Sequence, residues 1–323
     1  MYYLLVFLLL LAAEVVYFRI ADRLNIIDRP NDRSSHKRIT LRGGGVIFLF
    51  GVWLYALLNS CPYPCFLIGL TLIAVVSFMD DVRSVPNCIR LIVHFTAMLL
   101  MFYQWGLFSA GQWWIILPAW IVCTGIINAY NFMDGINGMT GGYSVAVLLP
   151  LVIVNRYSDF IDPMMIWVVL ISVGIFCFFN YRTKAKCFAG DVGSVSMAFI
   201  LLFMLGRLVI QTGDLSYLVF LAVYGVDTIL TICHRFMLHE NIFQAHRKHA
   251  YQLMANELKI PHVVVSTIYM LLQLGISLGA VYLPVNRWFY FVLVIFFLST
   301  IYILFMRRYY FLHEEYLQSR QRL

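Results

Sequence analysis

Asn128-Ala129-Tyr130-Asn131-Phe132-Met133-Asp134-Gly135-Ile136-Asn137-Gly138 stands between two long apolar runs. Four amide or carboxylate side chains and two glycines are packed into this short stretch. A buried amide or carboxylate without a partner costs on the order of 1–3 kcal/mol, and more in hydrocarbon. The cluster must therefore meet water or hold a polar ligand, and the apolar runs beside it are the segments to be explained as walls.

The composition says what those walls are. The chain has 323 residues, of which 62% are hydrophobic and 12% charged, against roughly 25% charged in an ordinary soluble domain. Apolar windows close to the ~20 residues needed to cross a bilayer recur along it. This pattern excludes a soluble enzyme and predicts an all-α polytopic membrane protein of about eleven spans: 1–20, 44–60, 64–79, 90–108, 112–128, 139–155, 163–180, 192–210, 215–232, 262–283 and 288–306. No low-complexity linker divides it, so residues 1–323 are expected to form a single membrane domain. The first run has neither a basic leader nor a small-x-small cleavage site, and reads as a retained span. Glu14 inside that span is expected to face other helices. The 7 cysteines show no paired CxxC sets, which indicates neither a disulfide framework nor a zinc site.

Consecutive spans alternate in direction, which sorts the connections into two sets. One set holds every Lys and Arg except Arg156, Arg207 and Arg287, with the boundary residues Arg19 and Arg90 assigned to their nearest loops. The positive-inside rule makes that set cytoplasmic, with the N-terminus outside and the C-terminus in the cytoplasm. The outer connections are short, so chemistry is expected on the inner face.

Five inner segments carry candidate groups. Asp80 and Asp81 end the third span, and adjacent carboxylates repel unless a cation or proton lies between them. Mg²⁺ would satisfy them, as would solvation with Arg83 as a partner. Asn128, Asn131 and Asp134 are spaced three apart and form one polar stripe if the fifth span stays helical to its end. Asp191, in Gly190-Asp191-Val192-Gly193-Ser194, could cap a helix or ligate a metal. The segment from His234 to His262 gathers Arg235, Glu240, His246, Arg247, Lys248, His249 and Tyr251. His246 and His249, at i and i+3, suit joint contact with a phosphate, while a basic surface helix meeting anionic headgroups is the rival reading. The first inner loop brings Lys37, Arg38 and Arg42 to Gly43-Gly44-Gly45. It lacks the Gly-Lys-Ser/Thr of a P-loop, yet it is suited to attracting anions. Cations for phosphates and carboxylates for metal and proton are the parts needed for phosphoryl transfer.

Arg42-Gly43-Gly44-Gly45, Met79-Asp80-Asp81, Asn128 through Gly138, Gly190 through Ser194 and His246-Arg247-Lys248-His249-Ala250-Tyr251-Gln252 occur in an order that resembles the polyprenyl-phosphate N-acetylhexosamine-1-phosphate transferases. The phospho-MurNAc-pentapeptide translocase belongs to the same family. The resemblance implies transfer of a sugar 1-phosphate from a UDP-sugar to undecaprenyl phosphate with release of UMP, dependent on Mg²⁺, with Mn²⁺ as a substitute. It also implies roles for individual residues. Asp191 would ligate the metal, and Asp80 and Asp81 would activate or position the lipid phosphate, Asp81 sharing the ion. Asn128, Asn131 and Asp134 would hold the nucleotide side, and His246 and His249 the donor sugar or diphosphate, with Lys37, Arg42 and Arg235 as further substrate contacts. The expected partners are the UDP-sugar, undecaprenyl phosphate and the lipid bilayer of the inner cell membrane; a homodimer is compatible and no nucleic acid is expected. The chain departs from many relatives at Asn137, where they carry Asp, and from some at Arg83 and Ser84, where a third acid stands. A transporter of a nucleotide sugar or lipid-linked sugar is the competing class, but it would place its charges at the bilayer midplane, often within repeated halves.

Overall fold

A computed structural model describes residues 2–28, 39–108, 111, 113–241, 244 and 246–321. Among them run twelve α-helices: α1 (Tyr2–Arg23), α2 (Val46–Leu58), α3 (Pro64–Val82), α4 (Asn87–Gln104), α5 (Ile116–Met133), α6 (Met139–Ser158), α7 (Pro163–Asn180), α8 (Gly190–Thr212), α9 (Ala222–Met237), α10 (Ala250–Asn256), α11 (His262–Tyr282) and α12 (Arg287–Gln321). Short 3₁₀ segments, Trp113–Ile115 and Leu215–Leu221, lead into α5 and α9. Ten helical stretches are long and apolar enough to cross a membrane.

The eleventh expected span is α2, which has 13 residues and reaches only about 20 Å at 1.5 Å per residue. It nevertheless joins the two ends of the bundle. Before it, the Gly44 and Gly45 amides donate to the carbonyls of Phe188 and Ala189, next to the start of α8. Within it, the Tyr55 hydroxyl donates to Asp162 at the start of α7, 2.7 Å away. The Gly-rich approach makes up for the short helix because it lets backbone meet backbone: a Cβ on Gly45 would collide with the Cα of Gly193.

The bundle is graded from centre to rim. α8 has 78% of its apolar window buried and α6 72%, whereas α4, α5 and α12 each have 22%. α3 and α5 pack on α8, and α11 packs on α6. The outer faces of α1, α4 and α12 display exposed Leu, Ile and Phe, such as Leu4, Leu91 and Phe296. In water such a surface would drive aggregation; in lipid it is neutral.

Two features were not anticipated from the sequence. A two-stranded antiparallel ribbon, β1 (Ile27–Asp28) with β2 (Thr40–Leu41), closes the connection between α1 and α2. Leu41 also bridges to Cys187, so Arg42 leaves the ribbon at a fixed point beside α8. The second feature is the length of α12, whose 35 residues extend about 52 Å at 1.5 Å per residue, well beyond a hydrocarbon core of about 30 Å.

Candidate active site

The ends of α3, α5 and α9, the starts of α4, α6 and α8, and the ribbon exit all lie at one end of the bundle. α8 is the axis of the site. It opens at Gly190 with φ +72°, and a Cβ there would meet Asp81 Oδ2 at 2.5 Å. Only glycine satisfies both the left-handed backbone and the close approach.

Asp81 reaches across from α3 to that helix start. Its Oδ1 accepts from the Asp191 backbone N–H at 2.9 Å and its Oδ2 from the Val192 N–H at 3.0 Å. Free N–H groups at a helix N-terminus, together with the helix dipole, favour a carboxylate at this position. Arg42 adds its Nε to Oδ1 at 2.7 Å, and the Asp81 side chain is fully enclosed. Arg42 is itself steadied by Tyr17, whose hydroxyl donates to the Arg42 carbonyl at 2.5 Å.

Asp191 is placed differently. Its oxygens make only long ion pairs, 3.5 Å to Arg42 Nη2 and 3.8 Å to Arg90 Nη2, and the side chain is 20% exposed. Asp80 lies within hydrogen-bonding reach of it. Asp80 is also bound by Arg90 Nη1 at 2.8 Å and by the Val85 N–H at 2.8 Å. Two carboxyls this close need a shared proton or a cation between them.

The opening stretch supplies the next wall. α5 remains helical through Met133, so Asn128 and Asn131 do lie on one flank, with Asp134 at the C-cap. Asn131 Oδ1 accepts from Ser194 Oγ of α8 at 3.1 Å. Asp134 Oδ1 accepts from Thr140 Oγ1 at 2.5 Å. Burial, reinforced by the neighbouring Asp191 and Asp81 and opposed by the Thr140 bond, pushes the Asp134 carboxyl up to about 7. Asn128 is exposed, with no hydrogen-bond partner among the described residues. Asn137 is buried, and its amide donates to the carbonyls of Arg182 at 2.9 Å and Thr183 at 3.4 Å. A carboxylate could not make those bonds, so Asn137 ties α6's entry to the loop before α8.

The loop after α9 folds back onto this wall. Tyr251 of α10 donates its hydroxyl to the Phe132 carbonyl at 2.8 Å. Phe132 in turn has the rings of His246 and His249 at 6.3 and 6.2 Å, and those two rings are 5.0 Å apart. Burial, with His249 and Arg235 beside it, pushes His246 down to about 3, so it is neutral at physiological pH.

Arg235 does not stand open to a ligand as the sequence led us to expect. It is buried, and its guanidinium binds Glu240, the Asn241 carbonyl at 2.6 Å and the Gln244 carbonyl at 3.1 Å, shaping its own loop. Asp81, expected to share the metal, accepts two bonds on Oδ1 and one on Oδ2 with its side chain enclosed, so it also holds the start of α8 in place. Lys37 lies outside the described residues.

Sequence reasoning missed Arg90 and Asp227. Arg90 had been read only as a loop charge, yet it bridges Asp80 and Asp191. Asp227 lies inside an apolar span, and an ionisable group there is itself a signal of function.

Among the described residues no group of three or more His, Cys, Asp or Glu forms a ready-made metal cage. Mg²⁺, however, is commonly held by one or two carboxylates with substrate phosphates and water completing its shell. The Asp191–Asp80 pair fits that donor set.

Residues 63–209 match the family model described as glycosyl transferase family 4. The matched segment contains Asp80, Asp81, Asn131, Asp134 and Asp191; Arg42, His246 and His249 fall outside it. The chain is 26% identical over 264 residues to a probable undecaprenyl-phosphate N-acetylglucosaminyl 1-phosphate transferase of Bacillus subtilis, covering 73% of this chain and 72% of that protein. It is 25% identical over 268 residues to an undecaprenyl-phosphate alpha-N-acetylglucosaminyl 1-phosphate transferase of Thermotoga maritima, covering 80% and 83%. It is 28% identical over 272 residues to a phospho-N-acetylmuramoyl-pentapeptide-transferase of Thermotoga neapolitana, covering 76% and 86%.

Proposed function

We propose that the chain is a glycosyl transferase of family 4 that transfers an N-acetylated amino-sugar 1-phosphate from a UDP-sugar to undecaprenyl phosphate, releasing UMP at the cytoplasmic face of the cell membrane. The observation that carries the reading is the convergence of Asp80, Asp81 and Asp191 with Arg42 and Arg90 at one end of a membrane bundle. One substrate is water-soluble and the other keeps its phosphate at headgroup level, so the reaction needs its charges at a span end. A transporter would need them at the midplane.

In the reaction, an oxygen of the lipid phosphate bonds to the sugar-bearing phosphorus. The bond from that phosphorus to the bridging oxygen breaks, and UMP leaves with the electron pair. Asp191 and Asp80 would hold Mg²⁺, which when bound neutralises charge on the diphosphate oxygens. Arg42 and Arg90, each about one-third exposed, would receive phosphate oxygens. Asp81 orients Asp191 by anchoring the start of α8. Asn131 and Asp134 form the wall on which the nucleotide side would rest, and His246 and His249 face the donor from the opposite loop.

The test is incubation of membranes containing the protein with sugar-labelled UDP-N-acetylglucosamine and Mg²⁺. Label should enter a butanol-extractable lipid only when undecaprenyl phosphate is present. Label that stays aqueous across a panel of UDP-amino sugars would refute the proposal.

A further inference from the structure

Asp227 is a carboxylate inside an apolar span, 3% exposed, facing His249, which is 2% exposed. A charge in that position is costly unless it is fully hydrogen-bonded, and four groups bond to it. Oδ2 accepts from the Tyr269 hydroxyl of α11 at 2.6 Å. Oδ1 accepts from the Ala250 backbone N–H at 3.1 Å and from Thr231 Oγ1 at 3.2 Å, and lies 3.3 Å from His249 Nδ1. Thr231 is itself 2.9 Å from the Tyr302 hydroxyl of α12. Groups of α9, α10 and α11 thus fix one carboxylate, with α12 behind Thr231.

An ionised carboxylate can only accept, so the His249 nitrogen that meets it must carry a proton. With Nδ1 committed, the other ring nitrogen is the one left to act. Nε2 of His249 is buried and has no hydrogen-bond partner among the described residues. Its ring lies against His246 and against Phe132, within the stretch that forms the nucleotide-side wall. A packing histidine would have both nitrogens satisfied; this one has one locked and one held in reserve.

We propose that Asp227 is a positioning residue that locks the rotamer and tautomer of His249, so that Nε2 alone is presented to the donor substrate. The inference rests on the transferase reading above. The same logic, a buried acid fixing a working imidazole, operates in hydrolase triads, where replacing the acid by its amide leaves the geometry but lowers turnover about 10⁴-fold.

The test has two arms on the full chain. In the first, transfer is measured for the parent, Asp227→Asn, His249→Ala and the double variant. Asp227→Asn should lower kcat at least about 10²-fold with the KM for undecaprenyl phosphate held within about twofold, and the double variant should be no worse than His249→Ala alone, because residues acting as one unit are not additive. Losses that multiply in the double variant, or an Asp227→Asn turnover within about threefold of the parent, would overturn the proposal. The second arm needs no change at Asp227. In ¹⁵N-histidine-labelled protein, the signals that vanish in His249→Ala should report a proton on Nδ1; a proton on Nε2 with Nδ1 bare would overturn it. A parent chain that makes no lipid-linked product would sink the transferase reading, and the tautomer result would still judge the lock.

Discussion

Asp81 and Asp191 are neighbours in space and both acidic, yet replacing each by its amide should have opposite effects on stability. The Asp81 side chain has no exposed surface and three contacts between 2.7 and 3.0 Å, two to the start of α8 and one to Arg42. Its amide keeps one accepting oxygen, turns an N–H₂ toward a backbone N–H, and leaves Arg42 without its close counter-ion. Breaking a buried, hydrogen-bonded pair in this way costs about 3 kcal/mol. Asp191 has only ion pairs of 3.5 and 3.8 Å at a partly exposed position, worth at most about 1 kcal/mol. Removing its charge also relieves the repulsion from Asp80. Asp81→Asn should therefore lose several degrees of thermal midpoint along with its activity. Asp191→Asn should lose transfer by at least about 10²-fold at an unchanged or higher midpoint. Thermal unfolding of detergent-solubilised protein, read beside labelled-lipid formation, measures both. An Asp81→Asn protein as stable as the parent, or an Asp191→Asn protein with near-parent turnover, would show that the two acids are assigned the wrong way round.

Further outcomes follow from the same geometry. His249→Ala should raise the KM for the UDP-sugar far more than that for undecaprenyl phosphate; equal changes in the two would remove the histidine from the donor side. Arg90→Ala frees Asp80 and Asp191 from their shared cation and should decrease the Mg²⁺ concentration needed for half-maximal transfer, which a metal titration reads directly. Asp134, held up at about 7 against an ordinary carboxyl near 4, keeps in the folded state a proton that the unfolded chain releases. Its contribution to stability is therefore complete below about pH 4 and is lost as pH rises through about 7, so Asp134→Asn should flatten the fall in thermal midpoint between about pH 4 and 7 in EDTA. A variant as steep as the parent would dismiss that titration. Finally, Arg247 stacks on Tyr316 at 4.7 Å and His313 pairs with Glu257 at 3.1 Å. Tyr316→Ala with His313→Ala should loosen the histidine loop and lower kcat without unfolding the spans, with proteolysis of that loop as the readout.

The apolar spans could be read from the sequence because bilayer thickness imposes a length on them, and the observed helices begin or end within a few residues of the expected bounds. α2 was legible as an apolar helix but not as a short one, because the glycines before it form a turn bonded to the backbone ahead of α8, which hydropathy does not register. The acidic motifs and their common end of the bundle were legible from residue types at span ends. What the sequence could not reveal was which acid is structural. Asp81 and Asp191 look alike as letters, and only the α8 start bonded to Asp81 separates a cap from an open carboxylate. Arg235 misled for a related reason: its backbone-carbonyl partners depend on a loop conformation that no composition encodes. Asp227 lay inside a span, where reasoning from span ends did not look.

The central claim is that a phosphorus atom, and not the sugar alone, moves from nucleotide to lipid. Purified protein in liposomes with undecaprenyl phosphate and Mg²⁺ should be given UDP-N-acetylglucosamine labelled both in the sugar and at the β-phosphate, with parallel panels of other UDP-amino sugars. Both labels should enter the lipid in equal amounts while UMP appears mole for mole. Sugar label entering the lipid alone with UDP left behind, or both labels recovered unchanged inside the vesicles, would contradict it.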